Sequence, residues 1–394
     1  MNPTDVVITG MGIVSSLGLG PDAHWQALTK KTPVPVLDRE RFAPYTVHPL
    51  PEIDWSEQIP RRGDQRQMGT WQRLGTYTAG LALDDAGIKA DEALCASMDM
   101  VVAAGGGERD VDVDQAILDE SLSRNDHDVL INEKLTTELR PTLFLSQLSN
   151  LLAGNISIVH KVTGSSRTFM GEEGAGVSAI ETAAARIRSG QSSHILVGAA
   201  FQTEHPDMLL SYELAGHLQR DAWSPVWQRD DEKGGGIITG SGAAFLVLES
   251  REHAEERGRD AYAAIGTVLS GRARRQGRAF QEHLDGMLEA FSGNREPILG
   301  LSGASGAHAA TQAEKAALEG RKIVTRGFSS LTGHLKEAQF PFAVALAALA
   351  VHHEASYPAF DMENEKAFDA APSAALATTI GYNCFEGMGL VVKA

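Results

Sequence analysis

Apolar runs that stop on glycine and hand over to helical spacing recur along this chain, and that rhythm constrains its fold more than any other feature. Residues 5–12 form a β-branched run stopped by glycine, and residues 21–28 then carry helical spacing, so the chain opens as strand, turn, helix. Residues 71–86 read as an amphipathic helix ending at Gly87. Residues 100–104 are continuously apolar and run into Gly105, Gly106 and Gly107, as expected of a strand buried on both faces. A helix over 177–188 and a strand over 194–200 make a second unit. Residues 237–249 alternate small and apolar side chains like a strand, and the charged helical turn at 250–258 reads as a seam. Beyond it come a strand at 262–269, a helix at 280–291, a strand at 297–301 and a helix at 311–318. Halves of matching rhythm suggest a duplicated α/β architecture, with residues 1–250 and 251–394 as its two parts.

Two stretches depart from the rhythm. Residues 108–140 are charged and irregular and read as a surface insertion, while 141–154 return to helical periodicity; the whole cap spans about 105–160. Residues 221–236 are polar and become glycine-rich. The apolar stripe at 340–349 reads as core or dimer packing.

With 394 residues and 43% hydrophobic content, the chain can bury a large core. Its 35 Lys+Arg against 51 Asp+Glu, a formal net charge of -16, argue against general nucleic-acid or anionic-membrane binding. The local basic patches at 272–278 and at Arg61 and Arg62 read as solvated faces. Cys95 and Cys384 make no disulfide framework and have no metal-ligand spacing, so a reducing cytoplasmic setting is expected, with no metal and no cofactor. No run approaches the roughly 18 apolar residues of a membrane span, the N-terminus lacks signal-peptide character, and Gly105–Gly107 and Gly234–Gly236 lack a nucleotide-loop context.

The segment Gly-Glu-Glu-Gly-Ala-Gly from 171 to 176 stands where a strand should hand a nucleophile to a buried helix, and it contains no cysteine. Four further stretches lie in matching order: Val-Ile-Thr-Gly-Met-Gly-Ile-Val-Ser-Ser-Leu-Gly from 7 to 18, Leu-Ala-Leu-Asp-Asp-Ala-Gly from 81 to 87, Gly-Ser-Gly-Ala-Ala-Phe-Leu-Val-Leu-Glu from 240 to 249, and Leu-Thr-Gly-His-Leu from 331 to 335. Asn-Cys-Phe-Glu-Gly-Met-Gly from 383 to 389 completes the set. Together they give a resemblance, over nearly the whole chain, to the condensing enzymes of the thiolase fold, the β-ketoacyl-[acyl-carrier-protein] synthase II type. The resemblance implies a duplicated five-layer αβαβα architecture with a dimer interface and acyl pocket around 144–158.

The family's chemistry moves an acyl chain from carrier protein to a cysteine, then decarboxylates malonyl carrier protein so that its carbanion attacks the thioester. Carried over residue by residue, Glu173 stands at the cysteine position, Ser302 at the first histidine, Ser329 at the lysine and His334 at the second histidine. Ser241 replaces the structural glutamate of the family's Gly-Glu-Gly-Ala-Gly. In the gating loop, Phe385 matches the first phenylalanine, Gly387 stands at the second, and Cys384 adjoins both. His308, six residues beyond Ser302, is the candidate to replace the missing histidine.

Loss of three catalytic residues on this scaffold implies an inactive ketosynthase subunit, similar to a chain-length factor. Such a subunit pairs with an active ketosynthase as a heterodimer, a homodimer being the other open arrangement, and serves acyl carrier protein in long or very-long-chain fatty acid, polyene or polyketide synthesis. Two other readings are open: a malonyl carrier-protein decarboxylase using Glu173 and His334, or a purely structural partner. Glu172 and Glu173 form an acid/base pair on the one hand, or Glu173 plugs the old cavity by accepting backbone N–H bonds at the helix N-terminus on the other.

Overall fold

The computed structural model describes residues 2–220, 222–229, 235–275, 277–291, 298–321 and 323–394. Residue 221, residues 230–234, Gln276 and Pro297, which the sequence placed in a polar stretch, a basic patch and a strand, lie outside the described residues. Among the described residues eleven strands follow in chain order. They are β1 Val6–Ser15, β2 Gly18–Leu19, β3 Asp99–Ala104, β4 Ser166–Met170, β5 His194–Phe201, β6 Gly242–Ser250, β7 Ala263–Gly271, β8 Ile298–Ser302, β9 Ile323–Gly327, β10 Ala374–Ile380 and β11 Glu386–Val392.

Their spatial order is β4-β3-β5-β6-β1-β7-β11-β10-β8-β9, with β2 paired to β1. Numbered within its own half and leaving out β2, each set of five strands takes the same order from its outer edge, third, second, fourth, fifth, first. Pairing senses repeat too. The strands β3·β4, β3·β5, β8·β9 and β8·β10 are parallel, whereas β5·β6, β1·β6, β10·β11 and β7·β11 are antiparallel. The halves join where Val6–Ile8 of β1 pair with 263–265 of β7.

Helix composition explains the layering. Every residue from Gln339 to Val351 of the Gln339–His352 helix is buried, because a helix apolar on all sides is stable only when covered all round. It packs on the Glu173–Arg188 helix, and each touches strands of both halves, forming the central layer. The Thr70–Asp85 helix covers β1, β5 and β6 from outside. Close approach there depends on Gly12, where a Cβ would stand 2.1 Å from the Thr78 carbonyl oxygen. The Arg278–Glu289 helix, with Phe280, Leu284, Met287 and Leu288 on one buried stripe, covers the second half together with His308–Glu319. This is the thiolase-type layering expected from the sequence.

Four local expectations are corrected. Residues 108–140 are not irregular: they hold two helices, Val111–Ser121 and His127–Thr137, packed on each other. Their polar sequence misled because this pair buries only Val113 and Leu130 along its length, and the Asp110 carboxylate caps the first helix at the Val113 N–H. Residues 141–154 divide into Pro141–Ser146 and Leu151–His160. The strand expected from residue 237 starts at Gly242; before it, Ile237 and Thr239 form single bridges to Leu218 and His334. The helix expected from residue 177 starts at Glu173, one turn earlier. Among the described residues no helix is long and apolar enough to cross a membrane.

Candidate functional site

β4 ends at Met170, Gly171 turns the chain with a φ of 147°, and the central helix begins at Glu173. The small residues that follow let this helix end enter the core. A Cβ on Gly176 would stand 2.3 Å from the Glu337 carbonyl oxygen, and one on Gly174 would stand 2.5 Å from the Phe385 ring. Glu173 is thereby carried inward, 1% exposed, with its carboxylate in the first turn where the helix dipole favours negative charge.

Opposite it, the short Ser329–Thr332 helix ends at Gly333, whose φ of 72° swings the chain so that His334 points back at Glu173. His334 is fully buried, its backbone pinned by bonds between its N–H and the Ile238 carbonyl and between its carbonyl and the Gly240 N–H. Nε2 of His334 lies 2.8 Å from Oε1 of Glu173, and the Tyr382 N–H donates to the same oxygen at 3.2 Å. With Nε2–H donating to the carboxylate, Nδ1 is left to accept from the Tyr212 hydroxyl at 3.5 Å. The second oxygen of Glu173, Oε2, is buried without a hydrogen-bond partner.

Aromatic side chains enclose this pair. The Tyr382 ring lies 5.4 Å from Tyr212, 5.2 Å from His217 and 5.8 Å from His334. Glu172 turns away from Glu173 and accepts from the Tyr382 hydroxyl and the Asn383 amide, so the adjacent carboxylates do not act on one point. Burial, with Tyr382 and Glu173 adding to it, holds the Tyr212 hydroxyl protonated well above the usual tyrosine range. Glu337 is buried beside Gly105, and that burial pushes its carboxyl up to about 7 against the pull of Lys336. Tyr212, Tyr382 and Glu337 were not foreseen from the sequence. Two had an available signal, since Tyr382 directly precedes the Asn383–Gly389 stretch and Glu337 follows His334 by three residues.

The two serines belong to other networks. Ser302, at the end of β8, donates to Oε1 of Glu314 at 2.7 Å and accepts the Ala304 N–H at 3.1 Å. Ser329 accepts from Nε2 of Gln339 at 2.8 Å, and that amide also holds the Gly303 carbonyl and the Leu335 N–H. Ser241 donates to Glu204 and receives the Thr203 N–H. Among the described hydrogen bonds, none joins Ser302 or Ser329 directly to Glu173 or His334. His308 begins the His308–Glu319 helix, with its ring beside Gly236.

Burial pushes the Glu314 carboxyl up to about 7, only partly offset by the Thr378 and Ser302 hydroxyls. Between its ordinary value of 4.5 and about 7 the unfolded chain is ionised there while the folded chain keeps its proton. This group therefore lowers stability as pH rises through that window and adds no further change above it. Glu314→Gln is expected to be more stable than wild type at pH 8, with the gap closing towards pH 4.5. Urea midpoints across that range measure it.

At the mouth, Phe385 has a φ of 68°, is 37% exposed, and lies under the Arg272 guanidinium at 5.4 Å. Cys384, half-buried and free, sits on the turn closed by the Gly381 N–H bond to the Phe385 carbonyl. Gly387 is inside β11, paired with Thr379 and Ser270, and a Cβ there would stand 2.2 Å from Cγ2 of Val177. No side chain fits at 387 unless the Val177 side chain moves. Gly387→Ala is expected to cost about 1–3 kcal/mol by overpacking, and Val177→Ala in the same chain to recover most of it. Denaturant unfolding of the four chains measures the coupling.

Comparison with known proteins agrees with this architecture. Residues 4–254, more than half of the chain, match the family described as Beta-ketoacyl synthase, N-terminal domain. The 3-oxoacyl-[acyl-carrier-protein] synthase 2 of Vibrio harveyi is 26% identical over 385 residues, covering 92% of this chain and 90% of the relative. The tetracenomycin polyketide synthase ketoacyl synthase beta subunit of Streptomyces glaucescens is 27% identical over 277 residues, covering 68% and 63%. Among solved structures, the ishigamide ketosynthase/chain length factor superposes with a TM-score of 0.76 at 21% identity, covering 99% of each chain. A β-ketoacyl synthase from Burkholderia phymatum gives 0.76 at 19% identity with the same coverage.

Proposed function

We propose that this chain, which belongs to the β-ketoacyl synthase family, is a non-condensing subunit that pairs with an active ketosynthase in carrier-protein-dependent fatty acid or polyketide synthesis. One observation carries the reading: a glutamate, buried and bonded to His334, occupies the first turn of the central helix where an acyl-accepting thiolate would gain from the helix dipole. An acyl group on a carboxylate would be an anhydride, too labile to be stored, and the carboxylate is already engaged by His334 and the Tyr382 N–H. Ser302 and Ser329 lack the imidazole and ammonium groups that general acid–base chemistry and charge stabilisation require, and both hydroxyls are held by Glu314 and Gln339.

The surface supports a partner. β4 is the outer strand of the first half, and no described strand pairs with its free side. Around it Met170 is 71% exposed and Ile158 58%, and Phe144, Leu145 and Leu148 are exposed nearby in sequence. An apolar surface beside an unpaired edge is what a strand-to-strand subunit contact covers. With a net charge of -16, the chain is a poor docking surface for an acidic carrier protein, which fits docking on the partner. Cys95 and Cys384 are both free, as suits a cytoplasmic assembly.

Co-expression with the cognate ketosynthase, followed by condensation assays, tests this. A one-to-one complex is expected, with no condensation by this chain alone and none after Glu173→Cys, because the other two positions remain serine. A stable homodimer that ignores the ketosynthase overturns it. The buried His334 beside Glu173 leaves one further reading, decarboxylation of malonyl carrier protein, in which Nε2–H of His334 would have to leave the Glu173 carboxylate and turn to the enolate oxygen formed as CO2 departs. Carbon dioxide release that His334→Ala abolishes supports it, and no release with or without the partner removes it.

A further inference from the structure

A second concave space lies on the outer side of the first half, between residues 65–73, Glu108 and residues 140–146, with a volume of about 430 Å³ and a mouth open to solvent. Arg66, Arg73 and Arg140 line it, and among the described residues none of the three forms an ion pair closer than 4.0 Å. That is notable in a chain whose net charge is -16, where acidic partners are plentiful.

Arg73 is the built part. It projects from the first turn of the Thr70–Asp85 helix, its guanidinium lies 5.4 Å from the Trp55 ring, and one amino group donates to the Thr70 hydroxyl at 3.1 Å. Its Nε is buried and has no hydrogen-bond partner. Glu108 is the carboxylate on the wall, and its Oε1 already accepts the Trp71 N–H at 3.2 Å. Three guanidinium groups against one carboxylate leave the cavity net positive. An adjoining hollow shares Arg140 and Glu108 and adds Arg109, Asp110, Asp112 and His205. Arg109 there is bonded to Asp114, and His205 to Asp207.

We propose that this cavity binds a phosphate-class oxyanion, gripped by Arg73 and Arg140 with Arg66 at the rim. A planar guanidinium presents parallel N–H donors that match two oxygens of one phosphate, and Arg66, Arg73 and Arg140 bring three such groups to one cavity. The volume exceeds that of inorganic phosphate, so the space admits a phosphate ester. The site lies outside the Glu173–His334 pair, and its test is independent of whether the chain pairs with a ketosynthase.

Isothermal titration of the purified chain with inorganic phosphate and with glycerol phosphate separates the free ion from an ester. Saturable binding is expected, weakened by about tenfold or more in Arg73→Gln and in Arg140→Gln. Arg140→Gln guards against misfolding because Arg140 is exposed. Arg61→Gln, at an exposed arginine that does not line the cavity, is expected to bind as wild type does. Tighter binding of the ester assigns the site to an ester, and tighter binding of phosphate to the free ion; either supports the proposal. No saturable binding of either probe overturns it, as does equal weakening by Arg61→Gln, which would mark general surface attraction.

Discussion

Replacing His334 by leucine is expected to lower stability by about 3–5 kcal/mol, the usual cost of removing one member of a buried, hydrogen-bonded pair that includes a carboxylate. The value belongs at the upper end of single-residue effects because of where Glu173 sits. It is 1% exposed, one carboxylate oxygen already lacks a partner, and without His334 the other keeps only the Tyr382 N–H at 3.2 Å. Glu173→Leu in the same chain is expected to restore most of the loss, because two apolar groups of similar size replace two polar ones. Denaturant unfolding of wild type, both single variants and the double variant gives the coupling energy directly. If the single and double variants are equally destabilised, the pair is not an energetic unit and the plug reading of Glu173 fails.

The second large effect concerns association. Ile158→Asp together with Met170→Asp is expected to leave the chain folded, since both side chains are exposed, at 58% and 71%. The same pair is expected to weaken association with the cognate ketosynthase by more than about a hundredfold, because two carboxylates would be desolvated without partners. Analytical ultracentrifugation of the mixed chains, with circular dichroism to check folding, measures both parts. Retained association would move the contact away from β4. Aspartates at Val34 and Leu214, also exposed, at 68% and 80%, but far from β4 in sequence, serve as controls expected to change nothing.

Much of the fold was legible because it is written in short-range patterns. Glycine stops, apolar strand cores and amphipathic helices follow from backbone freedom and burial, which act within a few residues. The repeat was visible for the same reason, as two similar runs of strand and helix, although the shared strand order could be seen only in space. Polar segments were read less well. The helical pair at 111–137 has little apolar periodicity, and the charged residues that suggested irregular chain stand on its exposed faces.

The candidate site divides along the same line. Glu173, Ser302, Ser329 and His334 are identities, and the sequence alone supplied them as the residues the resemblance sets at the family's site positions. It also supplied Gly387, which the resemblance sets at the gating position. Which of them meet was decided by tertiary structure. Glu173 reaches His334 across 161 positions of chain and Tyr382 across 209, while Ser302 and Ser329 turn to Glu314 and Gln339. Glu172 and Glu173 look alike in sequence, yet one faces Tyr382 and Asn383 near the surface and the other enters the core. The direction of each follows from the helix beginning at Glu173, and that beginning is fixed by what packs on Gly174 and Gly176, namely Phe385 and the chain at Glu337. Residue type sets what a group can do chemically. Contacts between segments hundreds of residues apart set whether it is buried, bonded or free to act, and no local pattern encodes those.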